Sequence, residues 1–215
     1  MNKTKIEWTD LSWNPITGCL HACDYCYARA IYERYGWSFD PTLRADRLGE
    51  PLKVKTPRRI FVCSVSDLMG AWVPREWVEQ VIAIIRQCPQ HTFQLLTKNP
   101  ARYADFEWPT NCWLGATATN QEQWDAASRA LSPVTSHVTY VSAEPLLSEV
   151  IPSNGFSPHW LIIGACTGMV KSQPERSWVE RLELFADQKG CPVFHKPNLK
   201  LPGRPRREYP ASVAV

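Results

Sequence analysis

Short runs of consecutive apolar residues alternate along this chain with segments whose apolar residues recur every third or fourth position. The runs fall at 60–64, 93–96, 112–116, 138–141, 160–164 and 192–195. Uninterrupted apolar runs of this length suit strands buried on both faces, as in a parallel sheet. Between them, Pro74 opens a stripe of Trp77, Val78, Val81, Ile82, Ile85 and Cys88, which is one face of a helix. Residues 99–106 read as a short helix. Thr119 with Glu122 reads as a capping box ahead of a helix carrying Trp124 and Leu131. Ser177 with Glu180 reads as a second box, before a helix of Val179, Leu182 and Phe185 that Gly190 closes. Nearer the start, 11–17 reads as a short first strand, 22–35 as a helix stopped by Gly36, and 37–59 as a long polar connection.

Strands alternating with helices indicate an α/β fold with a parallel sheet, either open and doubly wound or a partial barrel. In both architectures the site forms at the carboxyl ends of the strands. That rule turns the strand pattern into candidate site residues: Ser64, Ser66 and Asp67; Thr97 and Lys98; Thr117 and Thr119; Ser142 and Glu144; Gly164; His195 and Lys196. Residues 1–197 read as one unit, and 198–215 as a basic, Pro-containing C-terminal tail.

Composition narrows the picture. With 215 residues, 44% hydrophobic and 21% charged, the chain has the make-up of an ordinary globular domain. No apolar run is long enough for a membrane span, and the polar start has no leader-like apolar core, so the expected compartment is the cytosol. Thiols stay reduced there, which favours metal or catalytic roles for clustered cysteines. A net charge of +3 does not announce a nucleic-acid partner. Between Lys196 and Arg207, however, lie five basic residues and no acidic one, which reads as a solvated tail or as a phosphate-contacting arm. No P-loop, dinucleotide fingerprint or nucleophile elbow is present, and the five histidines lack zinc-protease spacing.

Three of the eight cysteines, Cys19, Cys23 and Cys26, fall in a C-x3-C-x2-C loop directly after the first strand. The other five, Cys63, Cys88, Cys112, Cys166 and Cys191, are scattered in apolar surroundings and read as buried small hydrophobes. Thiolates this close can share one metal centre. A [4Fe–4S] cluster normally takes four cysteines, so a loop of three leaves one iron for a ligand that is not protein. A zinc knot with His21 or a distant cysteine as fourth ligand is the alternative.

The loop, with Tyr25 just before its last cysteine, resembles that of the radical S-adenosylmethionine (SAM) superfamily. The resemblance extends to Ile6-Glu7-Trp8-Thr9-Asp10, to Trp13-Asn14-Pro15 with Thr17-Gly18-Cys19, and to Phe61-Val62 with Ser64, Ser66 and Asp67-Leu68. It continues through Gln94-Leu95-Leu96-Thr97-Lys98 and Glu144-Pro145-Leu146-Leu147. Together these motifs are similar to an uncharacterised radical-SAM-like family, often of phage proteins. The resemblance implies a partial parallel (β/α)6 TIM-like barrel with an extra C-terminal strand. It also implies a [4Fe–4S] cluster on Cys19, Cys23 and Cys26, with SAM bound at the unique iron. Electrons would come from a flavodoxin- or ferredoxin-like donor. SAM would be cleaved to a 5′-deoxyadenosyl radical that abstracts hydrogen from substrate.

By the same resemblance, Tyr25 packs near the adenine or cluster, and Ser64, Ser66 and Asp67 bind the SAM amino group. Thr117 and Thr119 contact the ribose. Glu144 and Lys98 stand as catalytic candidates, and Glu144 also as a cofactor contact. Lys98 and Lys196 would pair with the SAM carboxylate, a substrate phosphate or Glu144. Trp13 and Asn14, with Lys196, would line the substrate side. The substrate implied is a nucleobase, nucleotide or nucleic acid, modified in the cytoplasm or, for a phage-encoded protein, in the host cytosol. A zinc-stabilised nucleic-acid-binding module and a non-catalytic iron–sulfur carrier are the competing readings. The chain departs from the family pattern at Gly164-Ala165-Cys166-Thr167-Gly168, where an acidic Gly-Gly-Glu-Ser-Gly-like turn is usual. It departs also at Thr119-Asn120, where an acid is usual, and at Lys196-Pro197, where Lys-Gln is usual.

Overall fold

In the computed structural model, which describes residues 1–153, 155–167 and 171–211, the apolar runs become parallel strands. In chain order the elements are β1 (Asn2–Lys3), β2 (Leu11–Trp13), β3 (Ile16–Thr17), α1 (Tyr27–Arg34), β4 (Thr42–Leu43), α2 (Ala45–Leu48) and β5 (Arg59–Val62). There follow α3 (Arg75–Arg86), β6 (Thr92–Thr97), β7 (Cys112–Thr117), α4 (Gln121–Leu131), β8 (Val138–Ala143) and β9 (Trp160–Ile163). The chain continues through β10 (Cys166–Thr167), β11 (Lys171–Ser172), α5 (Arg176–Lys189) and β12 (Val193–His195). Short 3-10 turns at Pro51–Lys53 and Pro100–Asp105 complete the described elements.

The main sheet has the order β1-β2-β5-β6-β7-β8-β9-β12. From β2 to β12 every pairing is parallel, and only β1 runs antiparallel at the edge. The parallel part is curled into a half-barrel. Trp8, just before β2, meets Trp160 of β9 at 6.1 Å between ring centroids, across the concave face. The connection from β8 to β9 carries no helix among its described residues.

Because side chains alternate along a strand, the sheet has two apolar faces. The convex face carries Ile60, Val62, Phe93, Leu95, Leu114, Val141, Leu161 and Val193, packed under the helices. There α3 buries Val78, Val81, Ile82 and Ile85, each contributing about 1.5–3 kcal/mol. The concave face carries Trp8, Phe61, Tyr140, Trp160, Ile162 and Phe194. Gly115 of β7 makes room for this filling, since a Cβ there would lie 2.2 Å from the Tyr140 ring.

Several local expectations are corrected. The stretch 11–17 is split by Asn14-Pro15 into β2 and β3, because Pro15 has no N–H to continue the ladder. The first helix begins at Tyr27 rather than at residue 22: Ala22 has φ 50° and Cys26 caps the helix, its Sγ accepting from the Arg29 N–H. The connection 37–59 contains β4, α2 and a 3-10 turn. The cap of α4 is Asn120, whose side chain accepts from the Gln123 N–H, while Gln123 reaches back to the Thr119 N–H. The cap of α5 is Glu175, with no side-chain hydrogen bond, and Ser177 lies inside the helix. Gly190 closes α5 at φ 62°, as expected.

The segment after β12 folds back onto the barrel. Phe194 bridges antiparallel to Arg207, and the Trp160 indole N–H donates to the Glu208 carbonyl at 2.9 Å. Tyr209 packs on Trp160 and Phe194 beneath the Arg59 guanidinium. Arg206 pairs with Asp187 and Glu208 rather than lying free.

Candidate functional site

A cavity of about 280 Å³ opens at the carboxyl ends of the parallel strands. One wall is the cysteine loop. Gly18 makes its entry possible: φ is +83°, and a Cβ would stand 2.2 Å from the Asp40 carbonyl oxygen. The Gly18 N–H donates to the Val65 carbonyl and the Cys19 N–H to the Phe39 carbonyl, so the loop is fixed by backbone on both sides. The Arg29 guanidinium donates to the Cys19 carbonyl at 2.9 Å while lying over the Phe39 ring. Cys19, Cys23 and Cys26 are free, half-buried and share this wall. Burial pushes the Cys19 thiol up to about 11, with the charges of Asp67, Cys23 and Cys26 adding to the rise.

Asp67, after β5, pins the loop to its neighbours. Its carboxylate accepts from the Met69 N–H at 3.0 Å, from the Lys98 N–H at 2.9 Å and pairs with His21 Nε2 at 2.7 Å. The His21 ring also stands edge-on to Trp72. Asp67 therefore joins the ends of β5 and β6 to the cysteine loop, and much of its accepting capacity is already used. Lys98 is half-buried beside the thiols, its Nζ donating to the Tyr25 hydroxyl at 2.8 Å. Burial lowers its pKa, opposed by the negative charge of Cys23 and Asp67. Burial raises that of Tyr25, and pushes the Tyr27 hydroxyl, which donates to the Ser64 carbonyl, to about 12. Cys63, at the end of β5, holds φ 61°, a backbone state that non-glycine residues keep only where surroundings enforce it.

The other wall comes from β8, β9 and β12. Lys196 Nζ lies 3.1 Å from Glu7 and 3.5 Å from Glu144. Gly164 lets these side chains meet, since a Cβ there would be 2.9 Å from Glu144 Cγ and 3.0 Å from Lys196 Cγ. Burial raises the Glu144 pKa, and Lys196 opposes the rise.

Most of the residues expected at the mouth line it: the three cysteines, Tyr25, Ser64, Ser66, Asp67, Thr97, Lys98, Thr117, Ser142, Glu144 and Lys196. Others do not. Trp13 is fully buried on the convex side, its indole N–H donating to the Arg47 carbonyl. Asn14 sits behind the wall, where its Oδ1 accepts from the Ser64 hydroxyl and the Val65 N–H. Thr119 is buried and donates to Gln123. His195 faces Glu183 and accepts from the Arg206 N–H. Gly168, the last residue of the divergent turn, lies outside the described residues.

Glu7, Trp8 and Phe61 enter the sequence pattern only as members of motifs, and Cys166 only as a buried cysteine in the divergent turn. Trp8, Phe61 and Cys166 line the cavity, and Glu7 reaches Lys196. Cys63, Cys88, Cys112, Cys166 and Cys191 are all buried, as their apolar neighbours foretold.

The donors fit an iron–sulfur group in kind, being soft thiols unclaimed by disulfides. Among the described residues, no three His, Cys, Asp or Glu side chains close on a single ion position. Ser142 buries a hydroxyl with no protein partner and Ser66 one that stands against the Cys63 thiol, and both line the cavity, as suits a site that receives a polar ligand. Among the described residues no helix is long and apolar enough to cross a membrane.

Fold and site together define an α/β half-barrel protein with a thiol-lined mouth. A family model described as "Protein of unknown function (DUF5131)" matches residues 3–199, and the chain belongs to that family. No curated protein and no solved structure matches it.

Proposed function

We propose that this protein is a radical SAM enzyme built on a partial (β/α)6 barrel with an added C-terminal strand. The observation that carries the reading is the common wall of Cys19, Cys23 and Cys26 at the carboxyl ends of the parallel strands, beside a cavity that also receives Lys98 and Glu144. These three cysteines would hold a [4Fe–4S] cluster, with SAM as the ligand that the loop leaves room for. When bound, the pair supplies one-electron cleavage of SAM and so a 5′-deoxyadenosyl radical able to take hydrogen from an unactivated carbon.

The chain's own part is to orient and to exclude water. Asp67 holds the cysteine loop against the ends of β5 and β6, as its three hydrogen-bond partners support. Lys98 brings a positive charge to the thiolates. The Ser66 hydroxyl, set against the Cys63 thiol, keeps lone pairs ready to accept from an ammonium group. The aromatic floor of Trp8 and Phe61 keeps the base of the mouth dry. A flavodoxin- or ferredoxin-like protein would deliver the electron, and the substrate would be a nucleobase, nucleotide or nucleic acid in the cytoplasm, of the host if the gene is carried by a phage.

Metal analysis of anaerobically purified protein tests the reading. Iron and acid-labile sulfide in cluster stoichiometry, with a brown chromophore that Cys23→Ala abolishes, are the expected result. A colourless protein carrying one zinc per chain would overturn it in favour of a zinc-stabilised module.

A further inference from the structure

We propose that the wall opposite the cysteines binds a guanine-type base, Glu144 accepting from its ring N–H and exocyclic amine while Lys196 donates to its carbonyl oxygen. This inference rests on the reading of the mouth as a nucleobase-modifying site and names the base.

Glu144 is the deepest carboxylate of this wall, with a quarter of its side chain exposed; among the described residues Lys196 at 3.5 Å is its one ion-pair partner, and the Asn198 amide is a second polar neighbour. A carboxylate offers two oxygens and about four lone-pair positions, so with Lys196 and Asn198 as partners Glu144, which lines the cavity, keeps accepting capacity. A group withdrawn from water in this way is stabilised only by donors that replace it. Two parallel N–H donors match a carboxylate best, because both oxygens are then used in one plane.

The neighbouring charge selects among such donors. A cationic guanidinium would meet the Lys196 ammonium, which is held in place by Glu7 at 3.1 Å. A neutral guanine escapes that repulsion and turns the same ammonium to use, since its carbonyl lies beside the ring N–H. Adenine presents a donor next to an unprotonated ring nitrogen, which would confront the Glu144 carboxylate with an acceptor. Hypoxanthine keeps the ring N–H and the carbonyl but lacks the amine. The rest of the cavity suits a flat heteroaromatic ring: Trp8, Phe61 and Tyr27 contribute apolar faces, and the unpartnered Ser142 hydroxyl belongs to the same lining. Gly164 is what allows Glu144 and Lys196 to approach each other closely enough to act on one base edge.

Equilibrium binding of guanosine, inosine and adenosine to the anaerobically purified full chain tests this, with Glu144→Gln and Lys196→Met alongside. Guanosine is expected to bind about tenfold more tightly than inosine, the loss of one hydrogen bond to a charged group, with adenosine weaker still. Glu144→Gln should erase the gap between guanosine and inosine. Lys196→Met should weaken both together and leave their ratio intact, which keeps the test informative should Glu144→Gln fail to fold. Equal affinity for the three nucleosides, or binding of none, overturns the inference. The readout needs neither SAM cleavage nor iron content. A protein that cleaves SAM without base preference therefore defeats only this inference, and one that prefers guanosine without cleaving SAM defeats only the radical SAM reading.

Discussion

The two walls of the mouth are built by different means. The cysteine wall is held by main chain: Gly18 and Cys19 donate to carbonyls of Val65 and Phe39, and Asp67 collects two backbone N–H groups. The facing wall is held by side chains, with Lys196 between Glu7 and Glu144 over Gly164. Backbone attachment fixes thiol positions within narrow limits, which suits ligation of an inorganic group. A side-chain ion network can re-aim its donors and acceptors, which suits recognition of an organic one. On the proposed reading, the first wall would serve as a rigid cofactor side and the second as an adaptable substrate side.

The comparison can be broken most severely at Gly18. Gly18→Ala places a Cβ against the Asp40 and Phe39 carbonyl oxygens at a left-handed φ, and a loss of about 3 kcal/mol in urea-unfolding free energy is expected, with loss of bound iron. A variant that keeps its stability and its iron would mean that the loop is not held by main chain. Asp67→Asn is milder. It replaces one accepting oxygen by a donor facing a backbone N–H or His21, at an expected cost of about 1–3 kcal/mol. Iron retention should fall while guanosine binding changes little, and an equal effect on both would erase the distinction between the walls.

The smallest effect belongs to Glu144→Gln and is a matter of pH. Burial raises the Glu144 pKa above 4.5, so the folded chain binds this proton more tightly than the unfolded chain. Its stabilising contribution is full below 4.5 and is lost as pH rises through the folded pKa. Glutamine has no such dependence. Thermal melts should therefore show the variant gaining on the natural chain by about 2 °C between pH 4 and pH 7. A constant gap, or one moving the other way, would place Glu144 in a better-solvated setting than the wall described here.

Much of the mouth was legible from strand ends alone. Ser64, Asp67, Lys98, Thr117, Glu144 and Lys196 follow apolar runs, and in a parallel sheet those positions share one rim. What failed was facing. Trp13 belongs to the strand that leads into the loop, yet strand alternation turns its ring into the convex core. Thr119 precedes a helix whose cap lies one residue later than expected, so its hydroxyl donates to Gln123 and touches the site only through the Tyr25 hydroxyl. Glu7 and Trp8 were hidden for a different reason. Their partners, Lys196 and Trp160, lie near the other end of the chain, and only closure of the curled sheet brings them together. No periodicity or spacing encodes that curvature. Cys166 was grouped with the buried cysteines on local composition, and burial alone does not reveal that it borders a cavity.

Product analysis gives the sharpest check on whether the cysteine wall activates SAM. Anaerobic protein reconstituted with iron and sulfide, then given dithionite and SAM, should accumulate 5′-deoxyadenosine slowly even without substrate, and Cys23→Ala should form none. Absence of 5′-deoxyadenosine from fully reconstituted protein, or its undiminished formation by Cys23→Ala, would contradict the account.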